Sequence, residues 1–219
     1  MLTFDKVTCK YFNSVSFEIM KDKVYRLVTN SDFESNLFID FTFGLKKPDE
    51  GKVLIFGKDP SVVSEKETVG LLRRIGLVRQ DGGLISNLKV WENIVLPLEY
   101  HIGRVPEGSE ERIVNIFTRL GKSSRETGAL MGRLSGSLPP YEKRLIGAVR
   151  AMLMEPELII YDSPFEGLDA QTAQRLAGAA EDFQAGKAGR SSLYISSDPQ
   201  SLKDVKSDII LVLYGKGTA

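Results

Sequence analysis

The stretch that most constrains this chain runs from Val28 to Gly51. An apolar strand, Val24 to Val28, leads into a polar loop, Thr29-Asn30-Ser31-Asp32-Phe33-Glu34-Ser35-Asn36. The loop opens a helix that ends near Gly44, and Pro48-Asp49-Glu50-Gly51 follows. Strand, loop and helix in this order form the framework of a phosphate-binding loop, in which backbone N–H groups and a helix N-terminus face an anion. Yet residues 29–36 contain neither glycine nor lysine, and they carry two carboxylates. As local structure the loop is complete: Ser31-x-x-Glu34 is a capping box. Asp32 and Glu34 also fall in the first helical turn, where the positive end of the helix dipole favours anions. The helix supplies its own carboxylates where a phosphate would sit.

The rest of the chain alternates strands with helices. Leu2 to Val7 and Val15 to Met20 alternate apolar and polar residues, as half-buried strands do, and only a short stretch with Cys9 to Ser14 joins them, so an antiparallel pair is expected. Strands are also expected at Lys52 to Phe56, Ile75 to Arg79, Leu158 to Tyr161, Ser192 to Ser196 and Asp208 to Tyr214. The run at Leu158 is short and wholly apolar, which suits an interior strand. Helices are expected at Ser64 to Arg74, with Ser64 and Glu67 as a capping box, at Pro140 to Met154, and from Asp169 to about Gln184. A short helix is expected at Pro199 to Val205. Between Leu84 and Leu134 the strand pattern gives way to helices: Val90 to His101, interrupted at Pro97, then Pro106 to Leu120 and Ser123 to Leu130. The expected fold is an α/β P-loop-type core with a largely parallel sheet, antiparallel N-terminal strands and an inserted helical subdomain. One domain spans 1–219, with core segments 1–84 and 139–219 and the insert at 85–138.

Composition excludes several classes. Lys+Arg and Asp+Glu both number 29, so there is no net charge to attract nucleic acid or an anionic membrane. The single Cys9 rules out an intrachain disulfide and fits a reducing compartment. The opening Met1-Leu2-Thr3-Phe4-Asp5-Lys6 has no signal-peptide pattern, and no apolar run reaches the roughly 20 residues needed to span a bilayer. A cytoplasmic protein is expected, reaching the inner face of the plasma membrane only through a partner.

Three segments then carry a resemblance: Gly44-Leu45 with Pro48-Asp49-x-Gly51; Ile75-Gly76-Leu77-Val78-Arg79-Gln80; and Leu158-Ile159-Ile160-Tyr161-Asp162 with Pro164 and Gly167-Leu168-Asp169. In this order they resemble the ATP-binding subunit of an ABC (ATP-binding cassette) transporter, from Tyr11 to Tyr214. Asn87-Leu88-Lys89-Val90-Trp91-Glu92-Asn93-Ile94 resembles the start of that family's helical subdomain. A narrower resemblance is to ATPases of lipid-trafficking (Mla or MCE-type) systems.

The resemblance implies ATP and Mg²⁺ as cofactors, but the residues that would hold them differ. In the loop G-x-x-x-x-G-K-[ST], backbone and lysine hold phosphates and the hydroxyl holds Mg²⁺. The two glycines correspond to Thr29 and Glu34, the lysine to Ser35 and the hydroxyl residue to Asn36, while Asp32 replaces another common glycine. A carboxylate ~4 Å from a phosphate charge costs roughly 4 kcal/mol at an effective dielectric of 20, about a thousandfold in affinity. Ser163 stands where the family has its catalytic Glu, and Ser197 where it has the switch His; the one histidine, His101, lies in the insert. Asp162 is either a residual Mg²⁺ site or a structural strand end. Gln80 corresponds to a residue that senses Mg²⁺ beside the cleft for the permease. Tyr11 either stacks on adenine or belongs to the core. The signature loop is either Leu134-Ser135-Gly136-Ser137-Leu138 or, without gaps, Leu138-Pro139-Pro140-Tyr141-Glu142. The second is preferred, and there two prolines remove N–H donors.

Lysine, glycine, catalytic Glu, switch His and signature Ser share one function, and all are missing. The expected protein is therefore a pseudo-ATPase with no catalytic residue, no nucleotide and no metal. It would dock through Gln80 and Trp91 onto a permease, or pair with an active ABC ATPase as a heterodimer. The alternatives are a soluble scaffold without a transporter, and an atypical active ATPase using ATP and Mg²⁺ at Tyr11, Gln80 and Asp162.

Overall fold

The computed structural model describes residues 1–213. Two sheets divide the core. β1 (Leu2–Thr8) lies between β2 (Val15–Ile19) and β4 (Glu50–Ile55), antiparallel to both. The second sheet holds β3 (Val24–Val28), β5 (Ile75–Val78), β6 (Leu158–Asp162), β7 (Ser191–Ser196) and β8 (Ile209–Val212) in the order β5-β6-β7-β3-β8, all parallel.

Both faces of the parallel sheet are covered, which is why its inner strands read as unbroken apolar runs rather than alternations. Leu158 and Ile160 of β6, with Leu193 and Ile195 of β7, face one cluster together with Phe38 and Phe41 of α1 (Asp32–Thr42). Ile159, Tyr161 and Tyr194 face the other, with α6 (Pro140–Leu153) and α7 (Ala170–Ala185). α2 (Glu65–Leu72) precedes β5 and is capped by Ser64, whose Oγ accepts from the Glu67 N–H at 3.3 Å. α3 (Val90–Ile102), α4 (Ser109–Arg119) and α5 (Ser124–Met131) form the helical stretch between β5 and α6. Phe117 and Ile113 of α4 and Ile94 and Leu98 of α3 join the α6–α7 cluster. No helix among the described residues is long and apolar enough to cross a membrane.

Some boundaries differ from the sequence reading. Pro97 does not interrupt α3; buried Val90, Ile94, Val95 and Leu98 on either side of it hold one helix through the lost hydrogen bond. α4 begins at Ser109 rather than Pro106, because Gly108 adopts a left-handed conformation and Ser109 Oγ donates back to the Pro106 carbonyl at 2.7 Å. Pro199–Leu202 is a single 3₁₀ turn that stops short of Val205. The last strand ends at Val212, and Tyr214 lies outside the described residues.

Candidate functional site

In an open parallel sheet, ligands bind in the crevice beyond the carboxyl ends of the strands. Here that crevice is bordered by the loop after β3, the loop after β5 and the segments after β6 and β7. The β3 loop is closed on itself. Ser31 caps α1, its Oγ accepting from the Glu34 N–H at 3.3 Å. Glu34 does not complete the reciprocal box on Ser31. Its carboxylate reaches one residue further back and accepts from the Asn30 N–H at 2.9 Å and from the Asn30 side-chain amide at 3.0 Å. Glu34 is 6% exposed, so this carboxylate is an internal anion of the turn. Beneath it the Thr29 and Ser35 hydroxyls share a hydrogen bond of 2.7 Å, both side chains being buried. Asp32 accepts from Ser197 Oγ at 2.6 Å, which joins this loop to the segment after β7. An anion brought against this turn would meet two carboxylates and no lysine.

The opposite wall is built from arginines that sequence reasoning missed. Arg79 ends the β5 segment; its Nη2 donates to Asn36 Oδ1 at 3.1 Å and its Nε lies 3.6 Å from Asp81 Oδ1. Asp162, at the end of β6, is buried. Burial pushes its carboxyl above the usual carboxylate range, and Asp32 and Asp81 push the same way; Arg79 opposes them. Gln80 donates from Nε2 to Glu166 Oε2 at 2.8 Å. Arg144 of α6 is buried and binds only carbonyls: Gln80 O at 2.8 Å, Pro164 O at 3.2 Å and Glu166 O. Arg150, one helical stretch further, holds the Gly83 and Gly82 carbonyls at 2.8 and 3.1 Å. Gly82 lies so close to α6 that a β-carbon would stand 2.3 Å from the Lys143 carbonyl oxygen. The β5 loop is thus fastened to α6 and to the segment after β6.

The family model described as "ABC transporter" matches residues 12–166. The chain belongs to the ABC transporter family. It is similar to the methionine import ATP-binding protein MetN of Rhizobium meliloti, 27% identical over 204 residues that cover 93% of this chain and 55% of that one. It is also similar to MetN 2 of Paraburkholderia xenovorans, 27% identical over 203 residues covering 93% and 51%. The chain spans about half the length of these relatives. Among solved structures it superposes on the ATP-binding cassette MJ0796, in a dimeric post-hydrolysis state bound to ADP and Pi. The TM-score is 0.82 at 20% identity, over 98% of this chain and 94% of that one. It superposes on cbiO1 from Clostridium perfringens with a TM-score of 0.73 at 22% identity, over 97% and 84%. These superpositions establish the ABC ATPase fold. The relatives named here give no support to a special likeness to lipid-trafficking ATPases.

Against the ABC pattern, the other sequence-derived positions fall as follows. Ser163 is buried in a left-handed conformation (φ 45°) with its N–H on the Ile195 carbonyl at 2.8 Å. Tyr11 lies against Phe33 of the β3 loop, with ring centroids 4.7 Å apart. Leu134 precedes a single 3₁₀ turn, Ser135–Ser137. α6 starts at Pro140 with Pro139 as its cap and no side-chain cap bond, while Glu142 is held in ion pairs by Lys122 at 2.9 Å and Arg133 at 3.5 Å. Trp91 is half-buried against the α6–α7 cluster rather than standing free. His101 is half-buried beside Tyr100, and burial, then Arg73, lowers its pKa.

Proposed function

We propose that this chain is an ABC cassette that has given up ATP binding and hydrolysis and serves as a structural or regulatory partner, either of a permease or of an active ABC ATPase in a heterodimer. The observation that carries the reading is the Glu34 carboxylate. It is buried in the β3 turn and bonded to the Asn30 N–H, so one donor that would face a phosphate already has an internal anion. The chemistry of the donor set does not fit a nucleotide and its metal. Ser35 offers no positive charge, Ser163 is no base at neutral pH, and Pro139 and Pro140 lack N–H groups at the start of α6.

The docking role rests on the segment at 85–138 and on the β5 loop. Arg144 and Arg150 fasten that loop, which suits a rigid contact surface better than a nucleotide-driven switch. A lipid is the cargo class that the sequence resemblance suggests for the transporter. Methionine is the cargo named for relatives that share 27% identity with this chain. The expected location is the inner face of the plasma membrane, through the permease.

Two measurements test the reading. Affinity capture of the chain from its source cells should bring down a permease or a second ABC ATPase without added ATP; a chain recovered alone favours a free scaffold. ATP turnover by the purified chain that Asp162→Ala abolishes would replace the proposal with an atypical active ATPase.

A further inference from the structure

Beside α7 lies a cavity of about 570 Å³, a size that suits a small molecule. No residue of the β3 loop or the β5 loop lines it. One wall is a face of α7, where Ala170, Ala173, Ala177 and Gly178 recur at helical spacing and leave room that larger side chains would fill. A β-carbon added at Gly178 would meet nothing within 4 Å. Asp204, Val205 and Lys206 form the facing wall, and Phe165 also lines the space. A second chamber of about 110 Å³ adjoins the first; Ala177, Glu181, Val205 and Lys206 belong to both.

Tyr194 of β7 lines the smaller chamber and is 4% exposed. Its ring is held by stacking on Tyr161, with centroids 4.6 Å apart, and beside Phe165 at 6.1 Å. Its polar neighbours in the chamber are already engaged: Ser192 Oγ donates to Gln184 Oε1 at 2.6 Å, and Gln184 Nε2 donates to the Arg190 carbonyl at 2.5 Å. The Tyr194 hydroxyl makes no hydrogen bond among the described residues. Unlike the Tyr161 hydroxyl it is not sealed on every side, so it opens into the chamber that its ring lines. A buried hydroxyl without a partner is costly, and this one is open to a ligand. Glu181, Asp204 and Lys206 are exposed and make no ion pair within 4 Å among the described residues.

We propose that the two chambers bind a small hydrophobic amine, its ammonium in the smaller chamber against the Tyr194 hydroxyl oxygen and the Glu181 carboxylate, its apolar body along Phe165 and the alanines of α7. Two carboxylates against one lysine favour a cation over an anion. These charges are exposed, so burial of the apolar body supplies most of the affinity and the charges set the sign that is accepted. Phe165 precedes Glu166, whose carboxylate and carbonyl hold Gln80 and Arg144, so the ligand reaches the segment that fastens the β5 loop. The site does not depend on the function proposed above.

The test is titration of phenylbutylamine into the full chain labelled at alanine methyl groups, read by NMR at Ala173 and Ala177. Both signals should shift saturably, with a Kd at or below about a millimolar. Phenylbutyrate, of the same body and opposite charge, should bind at least about tenfold more weakly. Glu181→Gln should weaken the amine about fivefold, and so should Tyr194→Phe, which keeps the stacked ring. Gly178→Leu, which puts a side chain into the open space, should abolish binding; Ala173→Leu replaces it should that variant fail to fold. The proposal is overturned if the amine gives no saturable shift, if phenylbutyrate binds as tightly as the amine, or if the filled variant binds like the native chain. Unchanged affinity in both Glu181→Gln and Tyr194→Phe overturns it as well.

Discussion

Two polar nodes hold loops in this molecule, and they differ in kind. One is Asn93 in α3, fully buried and uncharged. Its oxygen accepts from the Ile85 N–H at 2.8 Å, and its amide faces the Ile85, Leu88 and Lys89 carbonyls and Ser135 Oγ at 2.8 to 3.3 Å. It joins the 85–89 loop to the turn before α6, and every bond is neutral. The other node is the crevice of Asp32, Glu34, Arg79 and Asp162, where both signs of charge meet at the edge of the sheet. A neutral, satisfied node is what a fold needs to fix a loop. A charged one at the ligand-binding edge of a parallel sheet is, on the function proposed above, a site that the chain fills with its own side chains. The first is architecture; the second bears on function.

The comparison can be broken most deeply by rebuilding the crevice. Glu34→Gly with Ser35→Lys removes the internal anion and restores a lysine, and should raise ATP–Mg²⁺ affinity about a thousandfold or more over the native chain, measured by equilibrium dialysis. Ser35→Lys alone should pair with Glu34 and gain little. Next in size is Asn93→Ala, which leaves the Ile85 N–H and its neighbours without partners in a dry interior and should cost about 3 kcal/mol in urea unfolding. Glu34→Gln should cost only about 1 kcal/mol in the same assay, because a neutral acceptor can still take the two Asn30 hydrogen bonds. If Glu34→Gln costs as much as Asn93→Ala, the crevice is no less architectural than the neutral node.

The smallest effect lies away from both nodes, in the Arg74–Glu157 pair with bonds of 2.6 and 2.9 Å. Hydrogen bonding from Arg74 holds the Glu157 carboxyl below its ordinary value. Its stabilising effect is therefore complete above the unfolded carboxylate pKa of about 4.3 and is lost as pH falls through the folded value. Both side chains are about a third exposed, so the loss should stay under ~1 kcal/mol. It should appear as a fall in the urea midpoint between pH 5 and pH 3 that Arg74→Gln makes shallower, the remaining fall coming from other depressed carboxylates such as Asp208 and Glu67.

The fold was largely legible from the sequence because strands and helices leave local periodicities. Ile159 and Ile160 point to opposite clusters, yet both are buried, and the resulting apolar run marked β6 as interior. Pro97 misled because a local rule about the backbone was outweighed by packing on either side of it. Residues 31 to 34 were legible as a cap, but the Glu34 carboxylate chose Asn30 over Ser31, a choice made by the turn's three-dimensional path. Arg79, Arg144 and Arg150 were not read as site residues at all. Most of their partners lie 20 to 68 positions away in the chain, and arginine carries no period or spacing that would announce them. The one available signal was position: Arg79 stands immediately before Gln80, at the carboxyl end of a parallel strand.

Calorimetric titration of ATP–Mg²⁺ into the native chain tests the central claim most directly. The account predicts no saturable heat up to millimolar nucleotide, since the β3 turn already holds its own carboxylate and offers no lysine. Binding with a micromolar Kd would contradict it.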